Sequence, residues 1–156
     1  PLHKESVRLS KLLRSYVAEL FNTGVSDIYS IDIKITPVAE TVAIDCDSRL
    51  ISRAVNNLVQ NSMKHNPQGC NVKLSLDCSD ASLILIIADN GIGLSAEKLQ
   101  ELEEKPHYMN STDERLDLRH GLGLLLVRQI VEAHEGTMEI KSVANHGFTT
   151  TLIFQK

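Results

Sequence analysis

"NNLVQNSMKHNPQG", residues 56 to 69, decides how the rest of the chain is read. It ends a long helical pattern that starts with Asp47 or Ser48 as N-cap, and "NPQG" stops it. At about 100° per residue, Ile51, Val55, Leu58, Val59 and Ser62 gather on one side of that helix. Arg53, Asn57, Gln60, Asn61 and Lys64 gather opposite. A stripe that is only solvated uses Glu and Lys more often than neutral amides, which compete with the backbone for hydrogen bonds. An Asn carbonyl is instead a hard oxygen ligand suited to Mg²⁺, an ion that keeps several waters and takes few protein ligands. A lysine one turn further on can reach phosphate oxygens.

Outward from this helix the pattern is regular. Upstream, "VRLSKLLRSYVAELF" (7–21) has a helical period and ends at "NTG", with Gly24 suited to a left-handed cap. "SIDIKI" alternates strictly, with Ile31, Ile33 and Ile35 on one face, so it predicts a half-exposed strand. "TVAID", after Pro37, is expected to be its hairpin partner. Downstream, "NVKLSLDC" and "SLILIIAD" predict a hairpin around "SDA". "SAEKLQELEE" reads as a helical piece, and "KPHYMNSTDERLDLRH" as mostly loop. "GLGLLLVRQIVEAHEG" is an apolar helix closed by Gly136, and "TMEIKSV" with "FTTTLIF" a last strand pair around "ANHG". Local hairpins with interspersed helices imply a two-layer α/β sandwich, its sheet mainly antiparallel.

Composition narrows the class. At 156 residues the chain is one domain's worth. Sixteen basic against twenty acidic residues argue against a general nucleic-acid or anionic-membrane surface. Cys46, Cys70 and Cys78 fit no zinc or disulfide spacing, which favours a reducing compartment. No apolar run approaches the roughly 20 residues that span a bilayer. The start, "PLHKESVRLSK", is not a signal peptide; it suggests a piece of a longer protein whose other parts could sit in a membrane.

Two glycine motifs accompany the amide helix. "DNGIGL" (89–94) follows the apolar strand directly, and Gly91 and Gly93 let backbone turn sharply near a ligand. Asp89, at the strand's end, can accept a hydrogen bond from an exocyclic amine such as that of adenine. Read alone, the motif is an ordinary strand-to-helix turn. "RHGLGLLLV" (119–127) opens a helix with two glycines, and helix N-termini offer unpaired N–H groups to phosphate. It follows a polar loop that could close over a ligand.

Together these motifs resemble the ATP-binding catalytic domain of sensor histidine kinases, within the superfamily of gyrase, MutL and heat-shock chaperone ATPases. "NNLVQNSMKH" resembles the N box, "DNGIGL" the first glycine box, "HGLGLLLVRQIVEAHEG" the second and "HGFTTTLIF" the closing strand. The resemblance implies a Bergerat fold: a mixed, mainly antiparallel five-stranded sheet with about three helices on one face. It implies that Asn61 binds Mg²⁺, that Asn57 helps hold the ion or the phosphates, and that Lys64 contacts phosphate. His65 would pack where an aromatic ring meets adenine, and Asp89 would receive the adenine amine above a floor shaped by Gly91 and Gly93. Gly121, Leu122 and Gly123 would line the triphosphate, and Thr149 or Thr150 would lie near the base. Residues 1–8 would end a linker from an upstream dimerisation and phosphoacceptor domain. Residues 9–156 would form the catalytic domain, with an ATP lid at about 95–120.

The implied activity is transfer of the ATP γ-phosphoryl group to a histidine on that separate domain, whose partner downstream is a response regulator. The domain is expected to be monomeric, cytoplasmic and free of direct membrane contact, in a membrane-anchored sensor. Departures from the family pattern are the lack of Phe between the glycine boxes (Leu102 and Tyr108 are nearest), Arg119 for a glycine, and Phe148 for a threonine. They raise one alternative, a non-catalytic module that keeps the fold for protein contacts. A hydrolytic ATPase or anti-sigma-type serine kinase would want a carboxylate where Asn57 stands, because an amide cannot act as general base. None of His3, His65, His107, His120, His134 and His146 sits in a phosphoacceptor-like setting. His134 reads as a surface residue compatible with a helix C-terminus.

Overall fold

Helix α3 (Ser48–His65) forms where the apolar period demanded it. A computed structural model describes the backbone of residues 2–104 and 123–156, and the side chains of residues 2–100 and 124–156. Asp47 caps α3: its carboxylate accepts the Leu50 N–H at 3.3 Å. Ile51, Val55, Leu58, Val59 and Ser62 are all buried, on the side the pattern assigned them. Each of the four apolar ones is worth about 1.5–3 kcal/mol buried. An amide in a helix costs at most about 0.7 kcal/mol relative to Ala, so packing holds the helix despite its amides.

Around α3 the chain runs β1 (Glu5–Arg8), α1 (Leu9–Thr23), β2 (Tyr29–Ile35), α2 (Pro37–Glu40) and β3 (Ala43–Cys46) before it. After it come β4 (Cys70–Cys78), β5 (Ser82–Asp89), α4 (Ala96–Glu104), α5 (Gly123–Ala133), β6 (Thr137–Val143) and β7 (Gly147–Gln155). Among the described residues the main sheet has five strands in the order β2-β4-β5-β7-β6. Only β2 and β4 pair in parallel; the other three pairings are antiparallel. Its strands alternate buried and half-exposed residues, as in β5, where Leu83, Leu85, Ile87 and Asp89 are the buried set. That face meets Leu9 and Leu13 of α1, the apolar side of α3, and Leu124, Val127 and Val131 of α5. The result is the expected α+β two-layer sandwich.

Two local expectations give way. "TVAID" is not the hairpin partner of "SIDIKI": β3 pairs with β1, and β2 lies alongside β4. Pro37 starts the short helix α2, so the chain leaves β2 by a helical turn instead of a tight reversal. Parallel pairing of β2 with β4 then becomes available because α3 supplies the long crossover that such pairs require. The second difference lies at the start. Residues 5–8, for which no strand was expected, form β1, and Val7 lies opposite Ile44 of β3. At the end of β3 in this small sheet Cys46 is fully buried, and burial with the nearby carboxylates of Asp47, Glu5 and Asp45 pushes its thiol up to about 11. Cys46, Cys70 and Cys78 are all free thiols.

Candidate functional site

The buried face of α3 fixes where its amide stripe points. Asn57, Asn61 and His65 are half-buried and Lys64 is exposed, clear of the core residues Leu58, Val59 and Ser62. Lys64 and His65 occupy the last turn. Asn56, the stripe's immediate neighbour, serves the packing instead. Its Oδ1 accepts the Tyr16 hydroxyl at 2.9 Å, tying α3 to α1. Burial pushes that phenol up to about 12, so it stays a donor.

The two ends of α3 are tied down differently. At its start, the Asp47 N–H donates to Nε2 of His134 at 3.0 Å, while Nδ1 of His134 bonds the Ile130 carbonyl at 2.7 Å. His134 is therefore not a surface residue. It is buried, edge-on to Phe154, and its position just past α5 brings the C-terminal end of α5 to the N-terminal end of α3. The two helices pack against each other.

At its far end α3 meets the loop after β5. Asn66, only 4% exposed, donates from Nδ2 to the Ser62 carbonyl at 2.7 Å and accepts the Ile92 N–H on Oδ1 at 2.8 Å. Asp89 is buried on the helix-covered face, and its Oδ1 accepts the Gly91 N–H at 2.9 Å. Glycine is required twice in this loop. A Cβ at Gly91 would sit 1.9 Å from the Asn66 amide oxygen. Gly93 has φ +64° and its Cβ would lie 2.4 Å from the Val143 carbonyl. Asn66 through Gly69, Asn90 through Ile92, and Asn145 border an open cleft of about 430 Å³.

The fold thus brings Asn61, Lys64 and His65 to the same end of the molecule as Asp89, Gly91 and Gly93, joined through Asn66. The two threonines part company. Thr150 is buried opposite Ile87, on the face that carries Asp89, whereas Thr149 pairs with Ala88 and points to the other face. Phe148 lies directly opposite Asp89. Gly123 opens α5, while Gly121 and Leu122 lie outside the described residues, as do 105–120 of the expected lid with Tyr108 and Arg119.

Sequence reasoning missed Asn66 and Cys70. The Cys70 thiol is pushed up by burial and by the nearby Asp89 carboxylate, and it approaches the Ser62 carbonyl at 3.8 Å. Asn66 did leave a signal, an amide between a helix end and a proline. Among the described residues, no three His, Cys, Asp or Glu side chains gather as a metal cage. An amide-held Mg²⁺ needs no such cage, and the half-buried Asn57 and Asn61 have the hard oxygen chemistry it takes. No described helix is long and apolar enough to cross a membrane.

Known structures and sequences give the class and then the family. The fold is that of the histidine kinase ThkA catalytic domain: the likeness has a TM-score of 0.78 at 20% identity and covers 99% of this chain and 97% of that one. Residues 46–156 match the family described as histidine kinase-, DNA gyrase B-, and HSP90-like ATPases, and the chain belongs to that family, whose members bind ATP. It is similar to the heme sensor protein HssS of Staphylococcus saprophyticus, with 29% identity over 97% of this chain and 31% of the relative. It is also similar to the histidine protein kinase DivJ of Caulobacter vibrioides, with 35% identity over 70% of this chain and 18% of the relative. The chain therefore spans about a third or less of these curated relatives.

Proposed function

We propose that this chain is the catalytic domain of a sensor histidine kinase that binds ATP·Mg²⁺ and passes its γ-phosphoryl group to a histidine on a separate domain of the same protein. The reading rests on one arrangement: the amide stripe of α3 joined through Asn66 to the loop that follows a buried carboxylate at the end of β5. In it Asn61, helped by Asn57, holds the ion, which when bound would neutralise phosphate charge. Lys64 and the N-terminal N–H groups of α5, with Gly121, Leu122 and Gly123, hold the phosphates. Asp89 accepts the adenine amine, Gly91 and Gly93 admit the base, and His65 and Thr150 border it. Of the two threonines, Thr150 shares the face of Asp89, whereas Thr149 points to the opposite face.

The absence of a carboxylate at position 57 disfavours activation of water. A neutral imidazole needs little base help, since one ring nitrogen already has a free lone pair. His134 does not supply that acceptor, because both its nitrogens are engaged inside the fold. We assign the acceptor to an upstream dimerisation domain, residues 1–8 to the end of the linker from it, and the lid to about 95–120. The parent would be a cytoplasm-facing, membrane-anchored sensor that passes the phosphoryl group to a response regulator. The isolated domain would be monomeric.

Incubating the chain with labelled ATP and a separately made acceptor hairpin tests this. Acid-labile, base-stable label on the hairpin is the expected result; free phosphate alone would mean a hydrolase, and no nucleotide binding a silent module. Asn61→Ala should remove the gain in affinity for a fluorescent ATP analogue that Mg²⁺ gives, with the fold intact. Equal gains in both proteins would defeat the metal assignment.

A further inference from the structure

Asn66 is bonded more completely than a helix-capping residue requires. Its backbone N–H donates to the Met63 carbonyl at 3.1 Å, and its own carbonyl accepts from Gly69 N–H at 2.9 Å and the Tyr29 hydroxyl at 3.0 Å. Those bonds already finish the helix. The side chain adds a bond across 26 residues of sequence, from the Ile92 N–H. Both halves of the amide are used, and in one orientation only. The Ser62 carbonyl needs a donor and the Ile92 N–H needs an acceptor, so Nδ2 and Oδ1 cannot exchange places.

The consequence reaches Asp89 through two successive peptides. Asn66 holds the peptide between Gly91 and Ile92, and the amide oxygen lies where a side chain at position 91 would begin. The preceding peptide then aims its N–H at Asp89 Oδ1. If the Asn66 bond is lost, the backbone that orients the carboxylate is free to rotate at a glycine, the residue with least resistance to rotation.

We propose that Asn66 is a positioning residue for base recognition. It fixes the Gly91–Ile92 backbone so that Asp89 presents its carboxylate to the exocyclic amine of adenine. This rests on the assignment of Asp89 as the partner of that amine. GTP, with a carbonyl oxygen at the corresponding ring position, gains nothing from Asp89, so the ratio of ATP to GTP affinity reports the orientation directly. Overall loosening of the fold weakens both nucleotides and leaves the ratio unchanged.

The test compares Asn66→Ala, Asn66→Asp and Asp89→Asn with the unaltered chain. Three quantities are read: displacement of a fluorescent ATP analogue by ATP and by GTP, thermal midpoint, and hydrogen-exchange protection of the Ile92 amide. Asn66→Ala should lower the ATP-to-GTP ratio about tenfold and strip the Ile92 protection. Asn66→Asp keeps an acceptor for Ile92 but sets an oxygen against the Ser62 carbonyl. It should melt earlier than the unaltered chain yet keep its ratio within about twofold and its Ile92 protection. A ratio unchanged in Asn66→Ala while the midpoint falls would reduce Asn66 to a structural cap and overturn the proposal. A ratio lost equally in Asn66→Asp, with Ile92 still protected, would also overturn it. Should Asn66→Ala fail to fold, the aspartate variant decides by the same two readings. Failure of the underlying assignment looks different: Asp89→Asn would then leave the ratio unchanged, which overturns both.

Discussion

The two ends of α3 are tied to the rest of the molecule by the same device and to different effect. At each end one buried, nitrogen-bearing side chain bridges a backbone N–H to a backbone carbonyl. His134 joins the Asp47 N–H to the Ile130 carbonyl, and Asn66 joins the Ile92 N–H to the Ser62 carbonyl. The His134 bridge lies inside packed core, between two helices and against Phe154. The Asn66 bridge borders an open cleft and holds a glycine loop. One end therefore holds the fold together, and the other, on the proposal above, orients the groups that would meet a nucleotide. A bridge surrounded by side chains answers to stability, and a bridge beside a cleft answers to binding.

The largest expected effect breaks the structural end. His134→Ala leaves the Asp47 N–H without its acceptor and opens a void beside Phe154. An unsatisfied buried donor costs about 1–3 kcal/mol, and truncating a packed ring adds to that. A loss of about 3–4 kcal/mol in denaturant unfolding is expected, with an unchanged ATP-to-GTP ratio in whatever stays folded. A changed ratio would mean that the two ends are not independent. The next effect sharpens the binding end. Asp89→Asn replaces an acceptor oxygen with an NH₂ donor facing the adenine amine, and a hydrogen bond to a charged group is worth about 1.5–3 kcal/mol. ATP affinity should fall by roughly ten- to a hundredfold by titration, while the unfolding midpoint moves little. A large stability loss with unchanged ATP affinity would transfer Asp89 to the structural side.

The same contrast explains what the sequence made legible. Both faces of α3 were readable, because Leu58, Val59 and Asn61 obey a period that depends only on neighbours along the chain. The β4–β5 and β6–β7 hairpins were readable for the same reason, since short loops force them. Contacts between distant positions left no such trace. "ESVR" has no strand-like alternation of apolar residues, and only its pairing with β3 makes it a strand. The neighbour of β2 could not be read, because a parallel partner lies beyond the crossover helix. His134 looked like a surface residue because its acceptor role depends on Asp47, 87 residues away. Asn61, Lys64 and Asp89 were singled out by residue type and position in the pattern, and the fold gathers them at one end of the molecule, while Asn66 was passed over as helix punctuation. The choice between Thr149 and Thr150 waited on strand register, which a single residue's slip would have reversed.

The smallest effect tests whether the structural end is also electrostatic. Asp47 accepts the His3 N–H at 3.1 Å and the Leu50 N–H at 3.3 Å. The His3 bond is the main cause that holds its carboxyl below the ordinary 3.8, with the Leu50 bond and the charge of Arg49 adding to it. A carboxyl lowered in the folded state stabilises the fold while it is ionised. That contribution is complete above the ordinary value and is lost as pH falls through the lowered one. Thermal midpoints should therefore drop on acidification below about pH 4, with this group contributing part of the slope. Asp47→Asn keeps an oxygen for the Leu50 N–H but cannot titrate, so its acid slope should be shallower while its neutral midpoint falls only slightly. Identical acid slopes in the two proteins would show that the cap works through hydrogen-bond geometry alone. The N-terminal end of α3 would then owe its hold to the His134 bridge and the packing beneath it.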